Sequence, residues 1–183
     1  VLGVVTGFSR GIPGEISMRV ADIIQAFPLL ILAIALVSLS GNNLTNVVYV
    51  LAFVNVPVFL RLTRSRVLTI REQRFVQASV ALGNSTPRLV FRHILPNALG
   101  PATVQFGVSM GYGILTLAGL AFLGVGVQVP TPEWGSMILT GSSNMTTGQW
   151  WIALFPGLAL SVAVFAFNLL SEGIEKAREV GSR

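Results

Sequence analysis

Three charge-free stretches govern what this 183-residue chain can fold into: Ile23 to Leu60, Ile94 to Pro132 and Trp134 to Ser171, of 38, 39 and 38 residues. An α-helix rises about 1.5 Å per residue and the hydrocarbon core of a bilayer is about 30 Å thick, so about 20 residues complete one crossing. Each stretch is therefore longer than one crossing and must contain a turn or an irregular segment. Only 10% of the residues are charged and 52% are apolar; a soluble globular domain is nearer one quarter charged. A water-soluble fold of this size cannot hide so much apolar surface. The pattern predicts an all-α integral membrane protein, a multi-span helical bundle.

Basic residues give the bundle an orientation. Seven of the twelve, at 61, 64, 66, 71, 74, 88 and 92, lie between the first two apolar stretches, and none falls in 40–46 or 121–149. By the positive-inside rule the segment 61–96 and the tail after Ser171, which carries Lys176, Arg178 and Arg183 against Glu172, Glu175 and Glu179, are expected to be cytoplasmic. Arg10 and Arg19 fall on the same side. The net charge of +5 then follows from asymmetric loops and does not require a nucleic-acid partner.

Turn chemistry divides the stretches further. The run Ser40-Gly41-Asn42-Asn43-Leu44-Thr45-Asn46 splits the first into helices near 20–39 and 46–60, kinked at Pro28 and Pro57. A crossing fits 97–118; the glycines at 119, 124 and 126 are too frequent for regular helix, and 119–149 is expected as an extended extracytoplasmic segment. The last crossing fits Trp150 to Leu170, with Trp150 and Trp151 at the interface. The opening VLGVVTGF reads as the end of a helix whose earlier part precedes Val1, and Arg10 to Asp22 as a turn and a short interfacial helix. Four whole crossings and a remnant make one transmembrane domain, 1–183, lacking its N-terminal helix.

Several chemistries are excluded. Without cysteine there is no disulfide, thiolate nucleophile or thiolate zinc site. A P-loop needs a lysine after a glycine-rich turn, and the sole lysine is Lys176 in Gly173-Ile-Glu-Lys176-Ala. His93, the sole histidine, has a helix-end or contact role as one reading and pH sensing as the other. The intramembrane amides Gln25, Asn55, Gln105 and Asn168 are candidates for function or for interhelical hydrogen bonds. Glu133 either meets a solute-delivering protein or closes a helix end.

Inside the basic segment, 72–82 reads as a short helix with Phe75, Ala78 and Leu82 on one face. Gly83-Asn84 stops it as a left-handed cap does. Thr86 is expected to cap a second helix, with Pro87 in its first turn and Pro96 ending it. Two short helices in an elbow form a protruding knob. A solvated anchor touching lipid headgroups would not need such ordered caps.

These residues resemble the permease subunits of binding-protein-dependent ABC importers. That family's signature is E-A-A, three residues, Gly, nine residues, I-x-L-P; here Gln77-Ala78-Ser79, Gly83 and His93-Ile94-Leu95-Pro96 fall at that spacing, with Gln77, Ser79 and His93 departing from it. FVQASVALGNSTPRLVFRHILPNALGP, AFLGVGVQVPTPEWGSM and FPGLAL look like the branch that handles dipeptides, oligopeptides and nickel. The resemblance implies a type I importer permease fold and a multi-pass protein of a prokaryotic cell membrane. It further implies a cytoplasmic ABC ATPase that holds ATP and magnesium, a second permease subunit and an extracytoplasmic solute-binding protein. This chain would bind no cofactor and catalyse nothing itself, and Gln77, Ala78, Ser79, Gly83, His93, Leu95 and Pro96 would couple it to the ATPase. Gln77 in place of Glu removes a possible salt bridge there. Two other classes make different predictions: a secondary transporter or channel would act without ATP and use intramembrane charges, and a basic nucleic-acid or lipid anchor would be strongly salt-dependent.

Overall fold

The structure, a computed structural model, describes residues 2–8, 12–127 and 130–181, with side chains as far as Ala177. Arg10, and the side chains of Arg178 and Arg183 that entered the charge count, lie outside the described residues. The described chain is helical throughout its regular parts: α1 Leu2–Phe8, α2 Ile12–Ala26, α3 Leu29–Ser40, α4 Leu44–Arg71, α5 Arg74–Ala81, α6 Thr86–Leu89, α7 Leu95–Phe122, α8 Trp134–Asn144 and α9 Trp151–Gly181. Among the described residues three helices are long and apolar enough to cross a membrane, Leu44–Arg71, Thr86–Phe122 and Trp151–Ala177; α2 and α3 make a fourth if they count as one broken span.

Four boundaries differ from the sequence reading. The helix expected at 20–39 is broken at Phe27-Pro28, because proline removes a donor and pushes the preceding residue out of helical conformation. The helix expected to end at Leu60 continues to Arg71, so Arg61, Arg64, Arg66 and Arg71 stand on helix and not in a loop. Nothing between Val58 and Arg71 is glycine or proline, and arginine is itself a good helix former. α9 likewise carries on through the charged tail instead of ending at Leu170: Gly173 costs a helix interior only about 1 kcal/mol, and the glutamates, lysine and alanine around it are good helix formers. Finally, 134–144 is helical and not extended: the Glu133 carboxylate accepts from the Ser136 backbone N–H at 2.9 Å and caps α8.

Two compact units emerge. One comprises residues 1–26, 55–106 and 173–183, the other 27–54 and 107–172. The second is centred on Ala33, Val37, Val47, Val50, Val54 and Leu120, and its Gly126 N–H donates to the Asn42 side-chain oxygen, tying the turn after α7 to the one before α4. The first is built around Val4, Val67, Ile70, Val76, Leu89, Ile94 and Ala98, drawn from α1, α4, α5, α6, the π turn that follows α6, and α7. This cluster positions the elbow.

Candidate functional site: the two-helix elbow

Helix α5 divides its residues sharply between two surroundings. Val76 is 2% exposed and Ser79 is buried, whereas Phe75, Ala78, Val80 and Leu82 face outward. Burying Val76 and Leu89 contributes about 1.5–3 kcal/mol each, which fastens the elbow to the ends of α4 and α7. The face read from the sequence, Phe75, Ala78 and Leu82, is thus a real face, but it is the exposed one. An exposed apolar face on an internally braced helix is a docking surface in form.

The turn after α5 is closed by its own backbone. Gly83 has φ +76°, its N–H donates to Val80 O at 2.9 Å, and the Asn84 N–H donates to Ser79 O at 3.2 Å. That pair of bonds is the Schellman arrangement, which needs a left-handed residue at the glycine position. Asn84 adds a side-chain bond, Nδ2 to Ser79 Oγ at 3.0 Å. Ser79, a departure from the family signature, therefore acquires a local role that alanine could not fill; sequence reading missed it, although the five-residue spacing of two short polar side chains around a Gly turn was there to find.

The second arm begins one residue earlier than expected. Ser85, not Thr86, occupies the cap position, and its side chain makes no capping bond; Leu89 N–H closes the first turn on Ser85 O at 3.0 Å. Pro96 does not end this helix either. Residues Val90–Ile94 form a π turn in which the Leu95 N–H reaches Val90 O, and the helix then runs on to Phe122. The wider turn accommodates a proline that has no N–H to offer a four-residue bond, and Asn97 Nδ2 donates to His93 O at 2.6 Å.

The signature residues are accordingly brought together in part. Gln77, Ala78 and Ser79 share α5 with the Gly83 cap, and His93, half-buried, reaches back to α5 through its ring, 6.4 Å from that of Phe75. This contact favours the helix-contact role for His93. Leu95 packs against the buried cluster and Pro96 is exposed. Gln77, exposed, turns back along the chain, donating to Glu72 O at 3.2 Å. Beside it a groove of about 470 Å³ is lined by Phe8, Arg71, Glu72, Val76, Gln77, Val80 and Leu89.

Elsewhere two of the polar candidates have plain roles. Asn168 Nδ2 donates to Val164 O, one turn back, and Glu133 is a helix cap. Among the described residues no three His, Cys, Asp or Glu side chains converge as a metal site would require.

Long apolar helices joined by a braced, outward-facing elbow define a multi-pass helical membrane protein. The chain belongs to the family described as binding-protein-dependent transport system inner membrane component, which it matches over residues 1–179. It is 44% identical over 177 residues to the dipeptide transport system permease protein DppC of Alkalihalophilus pseudofirmus, an alignment covering 96% of this chain and 58% of that protein. Identity to the di/tripeptide transport system permease protein DppC of Pseudomonas aeruginosa is 42%, covering 97% and 58%. For the glutathione transport system permease protein GsiD of Pectobacterium atrosepticum it is 38%, covering 96% and 58%. The chain thus spans rather more than half the length of these relatives.

Proposed function

We propose that this chain is the pathway-forming part of a permease subunit in an ATP-driven importer of peptides, and that the elbow at 72–96 docks into a separate cytoplasmic ABC ATPase. The observation that carries this reading is the division of α5: Val76 and Ser79 held inside, Phe75, Ala78 and Leu82 left outside. A short helix braced from within and apolar without moves as a rigid body with whatever groove receives it. Relatives named for dipeptides, di/tripeptides and glutathione support a peptide solute over nickel.

On this reading ATP and magnesium belong to the ATPase, and the chain itself is no enzyme and binds no cofactor. A second permease subunit completes the pathway, and an extracytoplasmic binding protein delivers the solute. The charge distribution supports a cytoplasmic elbow and C-terminus in a prokaryotic inner membrane. Gln77, Ala78, Ser79, Gly83, His93, Leu95 and Pro96 are the coupling residues, with Ser79 and Gly83 setting the turn.

The test is Gly83→Pro in the full permease. Proline fixes φ near −65°, opposite in sign to the +76° observed. A variant that inserts and assembles should lose ATP-driven uptake; uptake at the wild-type rate by a correctly inserted Gly83→Pro protein would sink the proposal.

A further inference from the structure

The elbow is flanked in sequence by α4 and α7, yet a polar connection at its start leads to a third helix. Arg71 ends α4 with a side chain 17% exposed. Its Nη1 donates to Phe8 O at 3.3 Å, across 63 residues of sequence, and its Nη2 lies 3.6 Å from the Glu72 carboxylate. Phe8 is the last residue of α1, where carbonyls have no partner within the helix and the helix dipole favours a cation. Glu72 in turn offers its backbone carbonyl to Gln77 Nε2. A polar path thus runs from the end of α1 through Arg71 into the first turns of α5.

We infer that Arg71 is a positioning residue that fastens α1 to the elbow, so that displacement of the elbow is delivered to α1 as well as to the two helices beside it in sequence. This rests on the coupling role proposed above. Two observations make the fastening mechanical. One residue and five residues before its end, α1 lies directly on α4: a Cβ added to Gly7 would be 2.9 Å from Val67 Cβ, and one added to Gly3 would be 2.6 Å from Thr63 Cβ. Backbones this close slide with difficulty. At the elbow end Val4 and Phe8 join the apolar cluster that holds Val76 and Leu89, and Arg71 lines the groove shared by Phe8 and α5, so the guanidinium adds a polar tie to that packing. A planar fork of donors serves a carbonyl and a carboxylate at once; a lysine ammonium keeps the charge without the fork.

The experiment uses the full permease in its importer complex, in lipid nanodiscs. The 183 residues contain no cysteine, so once any cysteines elsewhere in the complex are replaced, Val5→Cys on α1 and Ala81→Cys on α5, both exposed, can carry the pair of spin labels. With Arg71 present, one narrow label distance is expected, the same with and without ATP, because α1 and the elbow travel together. Arg71→Ala should broaden that distribution and lower solute transported per ATP hydrolysed several-fold. Arg71→Lys, which keeps the charge and hence insertion, should fall between. A merely electrostatic anchor predicts a silent Arg71→Lys. A wild-type distance and a wild-type transport ratio in either variant overturn the inference. If the wild-type complex shows no ATP-driven transport, the proposed function fails instead, and the distances without nucleotide still decide whether Arg71 holds α1 to the elbow.

Discussion

Gly83 and Gly126 occupy the same corner of backbone space in opposite surroundings. Both have positive φ, +76° and +94°. A Cβ added to Gly83 would meet nothing within 4 Å, whereas one added to Gly126 would overlap Val47 Cγ2, from a side chain with no exposed surface. The Gly126 N–H is also claimed, by Asn42. One turn is closed on its own protein; the other satisfies its backbone internally and presents an empty outer surface. A left-handed glycine by itself therefore says nothing about function. What separates the two is whether the molecule fills the space around the turn or leaves it free for a partner.

The largest effect should follow from filling the space that is already full. Gly126→Ala carries a left-handed penalty of about 1–2 kcal/mol and a clash of about 1–3 kcal/mol, so a loss of about 3 kcal/mol is expected in denaturant unfolding of the detergent-solubilised protein. Adding Val47→Ala should return the clash component and leave the conformational one, a coupling readable from a double-mutant cycle. A Gly126→Ala protein that unfolds like the wild type would erase the contrast between the turns.

Second in size is the brace beneath the open turn. Val76→Ala removes two methyl groups from the cluster that holds α5, at an expected cost of about 1–2 kcal/mol. Hydrogen exchange should quicken at the amides of 74–81 and leave the Gly126 region unchanged. Equal quickening in both regions would mean that the elbow is not separately braced.

How much of this could be read from the sequence follows from the range of each interaction. The Gly83 cap was legible because a Schellman turn is made by residues within five positions of one another. Three of the four expected spans were legible from the charge-free stretches, since desolvating a charge is costly, and the fourth holds only if α2 and α3 count as one. Helix ends were not: Arg61 and Ser171 mark a change of solvent, but a helix does not stop where its solvent changes, and α4 and α9 run on into the polar zone. Nor was the inner face of α5, because Phe75-Ala78-Leu82 and Val76-Ser79 are both apolar or small enough to be buried, and the choice is made by Val67, Ile70 and Leu89. The Arg71 link to α1 was invisible, its acceptor being a backbone carbonyl that carries no side-chain signal.

Gly83→Ala sharpens the comparison at smaller magnitude. With no steric conflict, the conformational term stands alone, about 1–2 kcal/mol, and Gly83→Asn should cost less because asparagine tolerates the left-handed region. Thermal unfolding in detergent gives the ranking Gly, then Asn, then Ala. If Gly83→Ala proved as damaging as Gly126→Ala, an unseen neighbour would have to fill the space that is open in this structure.

The smallest effect on stability, and the most telling for the elbow, belongs to Leu82. It is 84% exposed, so Leu82→Ser removes almost no internal contact, and the folded protein should change by less than about 0.5 kcal/mol. If the outer face receives an ATPase, the same substitution places a hydroxyl where an apolar contact is buried in the complex, and affinity should fall several-fold while the melting temperature stays put. Phe75→Ser cannot separate the two effects as cleanly, because Phe75 also touches the His93 ring. Co-purification of the ATPase with Leu82→Ser permease measures it directly. Undiminished capture would remove Leu82 from the docking face and leave Phe75 and Ala78 to carry it.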